Sequence, residues 1–587
     1  MKNIFTSFSS ESIVDALRSV FRRFLEPTVL ILVISGLLFT LVATESDDIL
    51  LPKLIITGVV TFFLSLCVSL FLETRKVKPL DARFPLLPLV YGVFFFLTVR
   101  ITHDFSVEGF VYAVLHFVGF FAGVFFAPYV LGLFDGKDES IEYTNYFSRV
   151  AWVFLMSAIV GGSLLALGFI AISSVLALFD LYSSLSDFKI YANWAIVSLA
   201  LVAPLYGLIH MPKKGDMSTR SYETNRFFSF LIRYVAVPAI YVYFAILYAY
   251  SLKVLMNFQD WPKGMISWMV IGFSSFGYLA YIFSKPYEDT RFVAVFRRYF
   301  PYAVIPQIGM LAYAISLRIG QYDLTMNRYF VVIFGAWLLI VSFYLIFRAR
   351  KSLAFIVASL SVISLLVSIG PWSVFSLPFS RQEARLIRNL TEAKILQNGK
   401  IVPLAKTSDI SRNLSNEIAE GISYLCDYDN CERIKTIFPD QVKIAEKNTY
   451  ENWKSWNTVT GATYSGTVSR WDVESAIMTD IHVERSYGYA GEKVEPTFFY
   501  STTESLYPID TRGYRSMIAI NPYEYKSQNE KKVYPYISYD PEKNTFTYQK
   551  DENNIIPLTV VMPPKFRDGT SPRTLTKNEL TFDAVGK

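Results

Sequence analysis

The chain has 587 residues, 52% of them hydrophobic and 18% charged, with a formal net charge of +6 and a mean hydropathy of +0.33. The charge is unevenly spread: residues 1–380 hold 29 Lys+Arg and 22 Asp+Glu, whereas residues 381–587 hold 27 and 28 in little more than half that length. This division excludes a single soluble globule, a disordered chain and a disulfide scaffold, and predicts a membrane part followed by a soluble tail.

A membrane-crossing helix needs about 20 mostly apolar residues. Eleven runs qualify as candidates, near 28–44, 52–72, 85–99, 109–134, 148–176, 190–210, 228–251, 264–284, 300–318, 328–347 and 352–371. So many apolar runs could not all be covered by the remaining polar chain. The fifth run has room for a bend at Gly161–Gly162, and prolines at 128, 204, 238 and 306 are tolerable where neighbouring helices satisfy the freed carbonyls.

Lys and Arg in the short loops set an expected orientation. With the N-terminus inside, the inside segments 1–27, 73–84, 135–149, 211–233, 285–299 and 348–351 carry 22 of the 29 basic residues, leaving 7 elsewhere. An odd number of spans then puts residues 381–587 outside the cytoplasm. The excess positive charge lies between apolar runs, which is the pattern of membrane orientation, so no nucleic-acid partner is expected.

The N-terminus does not read as a cleavable signal peptide. Residues 9–25 read instead as an amphipathic helix with Ile13, Leu17, Val20, Phe21 and Phe24 on one face and Arg18, Arg22 and Arg23 among the polar positions. Such a helix either lies in the membrane interface or packs on the inner ends of the bundle.

Charged residues of the membrane part fall in loops or at span ends, and the one ionisable side chain well inside a span is His116. Because a mid-bilayer charge costs about 2.5–3.5 kcal/mol, it is usually kept for function. Its lack here weakens a proton-driven transporter and excludes a voltage sensor. A lone His in an aromatic-rich helix more often bonds a neighbouring group than relays protons. There is no Walker A, His-Glu-x-x-His or Gly-x-Ser-x-Gly motif. Membrane glycosyltransferases place acids in the first outer loop, where this chain has Glu45-Ser46-Asp47-Asp48. That loop is short for an active-site platform, and a negative cap on the first span is the better reading.

In the tail, Ser380-Arg381-Gln382-Glu383 reads as a capping box opening a helix through Leu386, Ile387, Leu390 and Ile395 to a turn at Asn398-Gly399. A second helix follows Asp409, with Leu414, Ile418 and Ile422 four apart. Val533–Tyr539 and Asn544–Lys550 flank Asp540-Pro541-Glu542-Lys543 as a hairpin, and Ile555–Met562 is a further strand candidate. Of the three cysteines, Cys67 lies in the second span. Cys426 and Cys431, spaced wrongly for a redox pair, read as a local disulfide if the tail is outside, or as two free thiols. Asp427 and Asp429 between them are a weak calcium signal. No cofactor and no metal site is expected.

Several local patterns occur together. Trp261-Pro262-Lys263-Gly264 opens the eighth run; Arg318-Ile319-Gly320-Gln321-Tyr322-Asp323-Leu324-Thr325 leads to Arg328-Tyr329. Gly370-Pro371-Trp372-Ser373 precedes Ser380-Arg381-Gln382 and Arg385-Leu386, and the tail adds Asn398-Gly399-Lys400 and Tyr507-Pro508-Ile509-Asp510 with Gly513-Tyr514. In this order they resemble the bacterial polytopic family called domain of unknown function 4153, over roughly residues 20–520 and most specifically 255–400. The resemblance implies a bacterial inner-membrane or plasma-membrane protein and transfers no activity. This chain has Asp323 where the family pattern has glycine, so its turn must accommodate a side chain there.

Arg318, Tyr322, Arg328, Arg381 and Arg385 all fall on the expected outer face. They form either a site for an anionic lipid headgroup or an envelope protein partner, or simply the packing between tail and membrane domain. The fold expected is an α-helical polytopic membrane protein with about eleven transmembrane helices and a C-terminal soluble α+β domain. Its parts are a cytoplasmic amphipathic segment at 1–27, a transmembrane domain at 28–371 and an extracytoplasmic domain at 372–587. The expected role is a non-enzymatic envelope protein whose outer domain senses, scaffolds or assembles. The alternatives are a transporter or lipid exporter, and a membrane-embedded transferase using a lipid-linked donor, with Asp47 or Asp48 as its carboxylate. The lipid bilayer is the expected partner; the sequence leaves the oligomeric state open.

Overall fold

The computed structural model describes residues 10–44, 49–75, 86–99, 107–135, 139–179, 184–214, 229–256, 265–348, 351–406, 409–429, 431–443, 470–483, 537–540, 545–551 and 554–558. The chain divides into two compact units, Met1–Arg485 and Ser486–Lys587.

The first unit is helical. In chain order it runs α1 Ser10–Arg23, α2 Leu25–Thr44, α3 Leu50–Thr74, α4 Leu86–Thr98, α5 Val107–Val124 and α6 Ser140–Leu178. Then come α7 Ser184–Ala195, a π-helical turn Ile196–Val202 and α8 Ala203–His210; a second π turn Leu231–Ala236 leads into α9 Val237–Met256. There follow α10 Met265–Phe283, α11 Arg291–Tyr322, α12 Met326–Phe347, α13 Ala354–Leu366 and α14 Leu377–Glu392. Beyond the two-residue strands β1 Leu396–Gln397 and β2 Lys400–Ile401 come α15 Arg412–Asp429, α16 Glu432–Ile437 and α17 Arg470–Asp480.

Eight helices among the described residues are long and apolar enough to cross a membrane: Leu25–Thr44, Leu50–Thr74, Val107–Val124, Ser140–Leu178, Phe188–His210, Leu231–Met256, Arg291–Tyr322 and Met326–Phe347. Three shorter apolar helices, Leu86–Thr98, Met269–Phe283 and Ala354–Leu366, match the remaining predicted runs. Helix α6 continues unbroken through Gly161–Gly162, so no bend is needed there.

Polar side chains link the apolar helices at specific points. Ser361 and Ser364 of α13 donate to the carbonyls of Gly119 and Leu115 on α5, at 2.7 and 2.6 Å. Such interhelical bonds contribute about 0.6 kcal/mol each on average, so their worth here lies chiefly in fixing register. His116 sits beside this seam, 2.9 Å from the Tyr112 carbonyl through Nδ1 and 3.5 Å from Ser368 Oγ through Nε2, ringed by Tyr91, Phe95 and Tyr112.

The chain returns to one end of the bundle after each pair of helices. At that end Arg23 pairs with Glu73 and donates to the carbonyls of Met211 and Pro212. Lys214 pairs with Glu139, and Ser140 donates to the Lys351 carbonyl. Arg297 is buried there over Tyr281, near Glu288 and Ser284. The six segments that the Lys and Arg count assigns to one side therefore meet at one end.

Helices α14 to α17 build a second core in the same unit. Leu386 and Leu390 of α14, Ile418, Ile422 and Leu425 of α15 and Ile477 of α17 are all buried. The turn between β1 and β2 has both central residues at positive φ, Asn398 at 50° and Gly399 at 76°, the Asn-Gly hairpin geometry that the sequence announces. One expectation fails locally. Ser380 does not cap a helix; it lies inside α14 and its hydroxyl returns to the Ser376 carbonyl at 2.8 Å. The helix starts earlier because Pro378 fits its first turn, where a missing N–H costs nothing.

The second unit, by itself, contains an antiparallel meander of β3 Ile537–Asp540, β4 Thr545–Asp551 and β5 Asn554–Leu558, with Asp540 opposite Thr545 and Tyr548 opposite Ile556.

Candidate functional site

The site-bearing turn is the three-residue passage Asp323-Leu324-Thr325 from α11 to α12. Helix α11 ends at Tyr322 because Asp323 takes φ 58° with ψ −173°, an extended positive-φ conformation. That region is almost entirely glycine's, so an aspartate is strained there and the surrounding contacts must hold it. Here Asp323 Oδ1 accepts the Leu324 N–H at 2.7 Å. The departure from the family pattern thus supplies a buried anion where glycine would supply only conformational freedom.

Four of the five predicted arginine and tyrosine positions converge on this turn. The Tyr322 carbonyl, at the α11 C-terminus, accepts from Arg328 Nη1 at 3.2 Å, Gln382 Nε2 at 3.1 Å and Arg385 Nη1 at 3.0 Å. Arg328 also reaches the Asp323 carbonyl at 2.7 Å, and Gln382 the Leu324 carbonyl at 3.1 Å. The Tyr322 ring lies beneath both guanidiniums, 5.2 Å from Arg328 and 6.0 Å from Arg385. Arg381 Nε pairs with Asp323 Oδ1 at 3.0 Å, and Arg388 Nη2 stands 3.8 Å from Oδ2. The cations satisfy carbonyls that a helix end leaves orphaned and sit at the negative end of its dipole.

Arg318, the fifth position, lies one turn back on α11 and acts on Arg328 by charge repulsion. Buried Arg385 places Nη2 3.0 Å from Glu417 Oε2, near enough for attraction but off hydrogen-bonding geometry. Five arginines, 318, 328, 381, 385 and 388, thus face two carboxylates, Asp323 and Glu417, leaving three positive charges in excess.

Sequence reasoning missed several members of this clasp. Tyr424 of α15 accepts the Met326 N–H through its hydroxyl at 2.8 Å, and burial pushes that phenol up to about 12. Tyr329 donates to the Trp372 carbonyl. Arg433 bridges Glu383 of α14 and Asp429 of α15. Burial raises the Asp429 carboxyl to about 6 against the opposing pull of Arg433, with Glu108 and Glu432 adding to the rise. Cys426 and Cys431, both buried, are joined as a disulfide just before α16. Asp427 faces Arg470 at 3.6 Å, so both aspartates of the weak calcium signal have arginine partners. Glu45, Asp47 and Asp48 of the transferase alternative lie outside the described residues.

At the opposite end, Val20 and Phe24 of the N-terminal segment are buried while Phe21 is exposed, so α1 packs on the bundle by part of its expected face. Glu26, in the first turn of α2, accepts from Ser65 Oγ at 3.3 Å. A span end by sequence, it reaches eight residues inside Glu73 on α3.

A bundle with eight helices long enough to cross a membrane, bound end to end by ion pairs and carbonyl caps, defines a multi-pass helical membrane protein. A family profile described as Domain of unknown function (DUF4153) matches residues 33–378, and the chain belongs to that family. It is also similar to the "Uncharacterized protein PM1469" of Pasteurella multocida (strain Pm70), 23% identical over 307 residues, covering 51% of this chain and 50% of that protein. The match therefore spans about half the length of that curated relative. No solved structure matches the chain.

Proposed function

We propose that the chain is a non-enzymatic protein of the bacterial cytoplasmic membrane that carries its tail on the outer surface, where the tail senses, scaffolds or assembles. In this reading the chain crosses eleven times, the N-terminus is cytoplasmic and the Cys426–Cys431 disulfide persists because its compartment is oxidising. The observation that carries the reading is the clasp. Helix α14 is held to the bundle through backbone carbonyls and one buried anion, which suits a fixed platform better than a moving lid.

The excess of positive charge around the Asp323 turn favours an anionic partner at the same place: a lipid phosphate, held by Arg318 and Arg388 beside Tyr322. Arg328, Arg381 and Arg385 are largely committed to protein groups and would supply field more than contacts. The test is native mass spectrometry of the purified protein with Arg318→Glu and Arg388→Glu. Loss of co-purified phosphatidylglycerol or cardiolipin with unchanged thermal stability is expected. Unchanged lipid retention would sink the lipid site and leave the clasp as packing alone.

The transporter reading is supported by one observation, the Glu26 carboxylate set against Ser65 within an apolar run.

A further inference from the structure

Serine and threonine in apolar helices ordinarily turn the hydroxyl back to a carbonyl one turn earlier. Thr28, Thr40, Ser157 and Ser198 do so here. Thr57 and Thr61 do not: each hydroxyl oxygen is buried and lacks a hydrogen-bond partner, and Thr61 as a whole is only 6% exposed. Ser65, fully buried, donates to Glu26. Spaced four apart, Thr57, Thr61 and Ser65 form one stripe along α3. A buried hydroxyl without a protein partner is available to a small hydrogen-bonding guest.

The stripe is inside the bundle. Ser65 lies about 12 Å along α3 from Glu73, at 1.5 Å per residue. Opposite Thr61 stands Gly92 of α4, where a Cβ would come within 2.9 Å of the Thr61 hydroxyl oxygen. Glycine there lets the Thr61 hydroxyl approach α4 closely, and any side chain would press on it.

The charged groups on the elements packed against α2 are turned elsewhere. Arg23 and Glu73 take one another, Arg18 of α1 faces Asp15, and His210 of α8 is exposed with its ring on the Tyr206 carbonyl. Lys189 lies near the start of α7, at the other end of that helical passage from His210. Among the described residues Ser65 is the polar side chain that meets the Glu26 carboxylate.

We propose that the seam of α2, α3 and α4 is a proton-binding site, with Glu26 as the acid and water held on the hydroxyls of Ser65, Thr61 and Thr57. A hydronium in that water gives its proton to the carboxylate: one O–H bond breaks in the hydronium, one forms on the Glu26 oxygen, and water and a neutral carboxylic acid remain. The neutral acid suits an apolar run better than the carboxylate does. The inference is independent of where the tail lies and gives the bundle a role of its own.

The test is labelling of the full chain in native membranes with dicyclohexylcarbodiimide, an apolar reagent that modifies protonated carboxyl groups in apolar surroundings. Modified residues are mapped by mass spectrometry. Glu26 is expected to label in preference to Glu73, and its labelling to fall about tenfold per pH unit above its midpoint, as for any single titrating acid. Gly92→Ala is expected to slow Glu26 labelling, because its methyl group would displace the Thr61 hydroxyl from the stripe. Glu26 left unmodified, or modified equally at every pH, overturns the acid; a Gly92→Ala chain labelled at the original rate overturns the hydrated stripe.

Discussion

The two ends of the bundle hold their charges differently. At the end bearing Glu73, the ion pairs are spread over separate anions: Arg23 with Glu73, Lys214 with Glu139, Arg233 with Asp289, and Lys285 and Arg297 with Glu288. At the end bearing Asp323, several arginines crowd one carboxylate and one carbonyl. The first arrangement spreads risk over separate, partly exposed pairs, each worth about 0–1 kcal/mol in water. The second concentrates it. Removing the shared anion of the clasp strands arginines that have few other partners.

The largest effect expected is therefore at Asp323. Asp323→Ala leaves the half-exposed Arg381 and Arg388 without their carboxylate and the Leu324 N–H unpaired, and is expected to cost about 1–3 kcal/mol. The check is thermal unfolding of the detergent-solubilised protein, with faster proteolysis of the 377–480 region. Asp323→Gly separates the two roles of the residue. It relieves the positive-φ backbone, worth about 1–3 kcal/mol, yet still loses the anion, so it should lie between Ala and the unaltered protein. If Gly equals or exceeds Asp in stability, the charge network contributes nothing and the contrast between the ends disappears.

Glu73→Ala tests the other end. Arg23 keeps the carbonyls of Met211 and Pro212, so the loss is expected to be smaller, about 1–2 kcal/mol. A loss at Glu73 equal to that at Asp323 would make the two ends equivalent.

The smallest effect is a pH dependence at the α15–α16 corner. Asp429 titrates near 6 in the fold, above the ordinary aspartate value near 4. Between those values the folded protein binds more proton than the unfolded chain, so stability falls as pH rises through that window. Asp429→Asn is expected to flatten that part of the stability–pH profile. A profile that keeps its slope in the variant assigns it to another group.

Much of the architecture was legible because hydropathy is a long-range signal that local accidents do not erase. The apolar runs reappear as helices, and the basic segments share one end. In the tail, the four-residue spacing of Ile418 and Ile422 predicts α15, and Asn398-Gly399 predicts the hairpin. What the sequence hid depends on three-dimensional partners. Ser380 looked like a cap because the reading weighed Ser380-Glu383 alone, whereas Pro378 starts the helix and Arg433 takes Glu383. The arginines admit both a ligand patch and packing between tail and bundle, and the carbonyl acceptors they meet leave no mark in a sequence. Glu26 was counted as a span end, and only the pairing of α2 with α3 shows how far in it reaches.

The central claim is that the tail lies outside and the Glu73 end inside. Cys426 and Cys431 are too buried to report on it, so a new thiol is needed at Trp471, which is 62% exposed on α17. Trp471→Cys and, separately, exposed Arg291→Cys at the other end would be made in a Cys67→Ala background and treated with a membrane-impermeant maleimide in intact cells. The account predicts labelling at position 471 without permeabilisation and at position 291 only after it. Labelling in the reverse order would place the tail in the cytoplasm and contradict the proposed envelope role.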